Sequence, residues 1–151
     1  MTPVEKMHTW AIERKTTASV TVSHRAEAIL VELYVQRHAL DGLSAFRTQH
    51  DLRPDLYRHD ESETEIFEAK STATHDKVRE AIAQLCDYAV HSPHPVTRLT
   101  ALFPERPQPA GMAYLHRMGI DCVFLDEADL FQRTPAPAVR RAHMQPVWRG
   151  E

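Results

Sequence analysis

No apolar run in the 151-residue chain approaches the roughly 18 residues of a membrane-spanning helix, which excludes a helical membrane protein. The N-terminal MTPVEKMHTWAIERK has no apolar stretch behind its charges, so it does not read as a secretory signal. Cysteine is scarce: Cys86 and Cys122 cannot make a disulfide framework, and the expected setting is reducing and cytoplasmic. A strongly basic surface is missing too, since the formal net charge is -3. The sequence Asp126-Glu127-Ala128-Asp129 spells a helicase-like motif but has no GxxxxGK[ST] phosphate loop to serve it. No G-x-S-x-G elbow supplies a serine nucleophile. The ten histidines lack a cysteine pair, and Pro93 breaks the spacing that would align His91 with His94 on zinc.

What is present is an ordinary globular composition, 42% hydrophobic and 26% charged, in a length that fits one domain. The charge is unevenly spread. Residues 1–60 are balanced, 61–131 carry six cations against twelve acids, and 132–151 carry four against one. An acidic middle suits either a solvated face or a site that gathers a divalent cation.

Hydrophobic spacing predicts a helix from Ser23, as N-cap, to Leu40, with Ala26, Ile29, Leu30 and Leu33 inward and Gly42 as stop. Phe46–Tyr57 and Glu63–Ser71 read as hairpin strands joined by the polar turn His59–Ser62. A second helix spans His75–His91, capped by Thr72 or Thr74. Its stripe is Val78, Ala81, Ile82, Leu85, Cys86 and Ala89. Val96–Phe103 is a strand, Met112–Met118 a short helix stopped by Gly119, and Ile120–Leu125 a buried strand. Residues 1–131 would form the domain and 132–151 a flexible, proline-containing basic tail. The fold class is α/β, helices around a mixed sheet.

The chemistry concentrates in RPDLYRHDESETEIFEAKS. Residues i and i+2 of a strand share a face, so Glu68 and Lys70 project together while Ala69 turns under a helix. If the hairpin pairs as read, Asp55 meets Glu68 across the strands. Two carboxylates can hold Mg²⁺, and an ammonium beside them can orient water or offset phosphate charge.

Pro54-Asp55 followed by Glu68-Ala69-Lys70 resembles the PD-(D/E)xK nuclease motif. The order helix, three strands, helix, strand is similar to the restriction-endonuclease-like αβββαβ core. Gln84 and Tyr88, four apart on the second helix, resemble the QxxxY motif of RecB-type exonucleases. The likeness covers residues 23–126. It implies a Mg²⁺- or Mn²⁺-dependent nuclease acting on nucleic acid, DNA first, in restriction, phage defence or repair.

By that resemblance Asp55 and Glu68 hold metal, with the Ala69 carbonyl and Glu27 as further ligands. Lys70 acts on the water, and Gln84 supports the site. Lys77, Tyr88, Arg140 and Arg141 would meet the nucleic acid, and the chain would act as a homodimer or within a larger complex. The other reading is a non-catalytic nucleic-acid-binding or assembly subunit on the same fold that keeps the motif as structure; taken alone, Glu68 and Lys70 could also be a surface pair on an edge strand.

Overall fold

A computed structural model describes residues 3–48, 50 and 52–151, with side chains of the first helix described from Thr21 onward. The element order is α1 (Pro3–His38), β1 (Leu43–Ser44), β2 (Leu56–His59), β3 (Thr64–Ala69), α2 (His75–Ala89), β4 (Arg98–Phe103), α3 (Pro109–Arg117), β5 (Asp121–Leu125), β6 (Phe131–Thr134) and α4 (Ala138–Trp148). The strands form one six-stranded mixed sheet in sequence order. β2 runs antiparallel to both β1 and β3, β3, β4 and β5 are mutually parallel, and β6 returns antiparallel to β5. The α/β class is therefore as expected. Among the described residues no helix is long and apolar enough to cross a membrane.

Alternation along the strands divides the core into two layers. Tyr57, Ile66, Leu99, Ala101, Phe103, Cys122 and Phe124 pack against Val78, Ala81, Ile82 and Leu85 of α2, Leu115 of α3 and Trp148 of α4. The opposite face buries Leu56, Phe67, Ala69, Leu102 and Val123 under Leu30 and Tyr34 of α1. Ala69 thus packs under a helix, as its position in the strand requires.

Local chemistry explains most boundaries. Thr74 caps α2, its side chain accepting from the Lys77 amide. Asp60 closes the β2–β3 turn, with Oδ1 accepting from the Ser62 and Glu63 amides, each at 2.8 Å. Gly119 follows α3 with φ of 77°, a left-handed conformation that suits glycine.

Three expectations are corrected. The first helix does not start at Ser23: it starts at Pro3, because a helix can extend without the apolar stripe that marks a start, and proline is at ease in a first turn. Its inward positions are Leu30 and Tyr34, whereas Ile29 is 59% exposed. Phe46–Tyr57 is not one strand. The Thr48 amide donates to the Leu52 carbonyl at 2.8 Å, folding the segment between β1 and β2 into a turn.

The third correction concerns residues 132–151, which are not a loose tail. They form most of β6 and all of α4, and Ala136 and Trp148 are buried. The lock is ionic. Asp121 is fully buried on β5 and accepts from Arg133 at 2.9 Å, from Arg98 and from the Ala136 amide at 2.9 Å. Arg133 also pairs with buried Glu65 at 3.1 Å and donates to the Tyr34 hydroxyl at 3.1 Å. Buried acids of this kind are tolerated because each is matched.

Removing Arg133 takes the closest cation from buried Glu65 and leaves buried Asp121 with Arg98 and the Ala136 amide alone. Arg133→Ala should therefore lower the unfolding free energy by about 3 kcal/mol in a urea titration. Deleting residues 132–151 should cost the cooperative transition itself. A truncated chain that unfolds like the full one would contradict the lock.

Candidate active site

The pairing of Leu56 with Phe67 in the antiparallel β2–β3 ladder places Asp55 opposite Glu68 at the end of the sheet. The contact is tied down by the backbone, since the Ala69 amide donates to Asp55 Oδ2 at 2.9 Å. Glu68 is 4% exposed and so is Lys70, whose Nζ stands 3.9 Å from Glu68 Oε1. Glu68 Oε2 is buried without a hydrogen-bond partner. Asp55 is exposed, so the cluster reaches solvent through it.

Two carboxylates facing each other are acceptors without a donor between them. They come to terms by sharing a proton or a cation. Burial first, and then the Asp55 charge, together push the Glu68 carboxyl up from 4.5 to about 9 against the opposing pull of Lys70. Glu27, on α1, is 9% exposed and belongs to the same corner. Burial and the Asp55 charge raise its pKa, while Lys70, His24 and Lys77 act in the other direction. Tyr88 of α2 closes the inner wall at 5% exposure. Its phenol is pushed up by burial and then by the Glu68 and Asp55 charges. Gln84, one turn earlier, has a buried Oε1 without a partner.

Asp55, Glu68, Lys70, Ala69, Glu27 and Tyr88 are therefore gathered at one rim of the sheet between α1 and α2, and Gln84 stands one turn from Tyr88 on α2. Tyr88 is a buried wall there and offers no open face to a base. Lys77 is half-buried on α2 and pairs with Glu80 at 3.0 Å. Arg140 and Arg141 are not brought to this rim. They sit on α4, which crosses the opposite end of the parallel strands, where Gln145 donates to the Thr97 carbonyl and Arg149 to the Val96 carbonyl. The arginines expected to meet nucleic acid from a flexible tail are instead fixed on a folded helix, whose Trp148 is buried.

Two sets of residues escape a reading of the sequence. Arg53 lines the same groove as Asp55, and its place just before Pro54 is the available signal. Glu65 and Asp121 are acids inside apolar strands, a pattern that demands buried partners. Comparison of the chain with protein-family models, with curated proteins and with solved structures gives no match.

The raised Glu68 pKa has a definite sign. The folded state favours the protonated acid, so its stability is fullest below about 4.5 and falls as the pH rises toward about 9. Glu68→Gln should therefore melt higher than wild type at pH 8 in EDTA, with a much smaller difference at pH 5. Parallel melts at both values would refute this cause.

Proposed function

We propose that this rim is the catalytic site of a divalent-cation-dependent nuclease that hydrolyses phosphodiester bonds, in DNA, within a restriction, defence or repair setting. One observation carries the reading: buried Glu68, with an orphaned Oε2, faces Asp55 and has Lys70 beside it. The order α1, β1–β3, α2, β4 supports the likeness to a restriction-endonuclease-like core.

The donor set fits Mg²⁺ or Mn²⁺. Among the described residues no group of three or more His, Cys, Asp and Glu side chains forms a ready-made cage. Two hard oxygen ligands suffice for an ion that keeps several waters and shares a substrate phosphate. Asp55 and Glu68 would hold it, with Glu27 and the Ala69 carbonyl in reserve. When bound, the ion lowers the pKa of water and offsets charge on the phosphoryl group. The protein's own residues do the remainder. Lys70 Nζ, fixed beside Glu68, orients the attacking water and meets the charge that develops on phosphate. The Ala69 amide holds the Asp55 carboxylate in place. Tyr88 and the α2 face exclude bulk water from the inner side.

The 4% exposure of Glu68 and Lys70 favours a second reading, a non-catalytic subunit that keeps the trio as structure. Incubating purified protein with circular and linear DNA in Mg²⁺, Mn²⁺ or EDTA separates the two. Wild type should cut only with metal. Lys70→Ala should lose about 100-fold or more in rate while still binding metal, and Asp55→Ala and Glu68→Ala should lose both. Equal cutting by all three variants would reject the nuclease reading.

A further inference from the structure

A polyanion does not approach this rim without help. Asp55, Glu68 and Glu27 share one corner, and the cations nearby are engaged: Lys70 with Glu68, Lys77 with Glu80. A groove opens beside Asp55, between α1 and the chain that leads into β2. It is lined by Ala28, Val31, Glu32, Ser44, Arg53 and Asp55 among others, and among the described residues Arg53 is the one cation in its lining.

Arg53 is exposed, and among the described residues its side chain makes no hydrogen bond or ion pair. It precedes Pro54, and a residue before proline is held in extended conformations. In extended chain, residues i and i+2 point the same way about 7 Å apart. Arg53 and Asp55 are both exposed, on either side of buried Pro54, and both line one groove, a charge pattern that a phosphodiester backbone matches.

We propose that Arg53 is the phosphate-binding residue of this groove, taking the phosphate next to the one that reaches Asp55 and Glu68. The proposal rests on the nuclease reading and adds to it where the substrate backbone lies. A guanidinium suits the task, because its planar fork binds two phosphate oxygens at once. Glu32 on the facing helix limits the groove to a backbone that keeps its charges on the Arg53 side.

The test uses the full chain and a fluorescent 20-nucleotide DNA. Binding is measured against salt in Mg²⁺ on a Lys70→Ala background, and cutting on the wild-type background. Arg53→Glu should weaken binding by about tenfold and flatten the salt dependence by about one phosphate contact, with slower cutting. Arg53→Lys should keep most of the affinity. Arg79→Glu, an identical charge change on the outer face of α2 where Arg79 is 67% exposed, should do neither. Unchanged Arg53 variants in a chain that cuts would overturn the assignment and leave the nuclease reading standing. Equal losses for Arg53→Glu and Arg79→Glu would reduce the effect to net charge and overturn it as well. A wild-type chain that neither binds nor cuts DNA would overturn the nuclease reading, and Arg53's role with it.

Discussion

Register between β2 and β3 is the constraint from which the candidate site follows. With Leu56 paired to Phe67, the alternation of side chains sends Asp55 and Glu68 to one face and Leu56, Phe67 and Ala69 to the other. A slip of one residue would exchange the two sets, turning Leu56 and Phe67 away from Leu30 and Tyr34 and driving the acids under α1. The apolar face therefore enforces the position of the polar one. Burial of Phe67 and Leu102 against Leu30 and Tyr34 is what holds two carboxylates together against their own repulsion.

Charge is buried at both ends of the parallel strands, with opposite outcomes. At the N-terminal end Glu65 and Asp121 are matched by Arg98 and Arg133, and the network fastens β6 and α4 to the sheet. At the C-terminal end Asp55, Glu68 and Glu27 face one lysine, and Glu68 keeps an unpartnered oxygen. The first arrangement is complete within the chain. The second is short of positive charge, and that shortfall is the physical basis of the proposed cation and the proposed phosphate ligand. Stability spent on an incomplete polar cluster is a common mark of a functional site.

Elements whose periodicity was unbroken were legible in the sequence. The stripe from Val78 to Ala89 defined α2, and the i, i+2 spacing put Glu68 and Lys70 on one face. Where a side chain or a proline interrupts the pattern, inference failed for identifiable reasons. Thr48 turned an apparent strand into a loop. Pro135, Pro137 and Pro146, with four arginines, hid a strand and a helix whose anchors, Ala136 and Trp148, were the informative residues. Arg133 read as a loose cation because its partners Glu65 and Asp121 lie far off in sequence. Long-range pairing of that kind leaves no local periodicity to detect.

The account stands on Glu68 being held in a corner that resists its charge until a cation arrives. Its carboxyl carbon can be followed by NMR through a pH titration, with and without Mg²⁺. The account predicts titration near 9 in EDTA and an ionised carboxylate across neutral pH once Mg²⁺ is present. A Glu68 that titrates in the ordinary carboxylate range in EDTA, with Mg²⁺ leaving it unmoved, would contradict it.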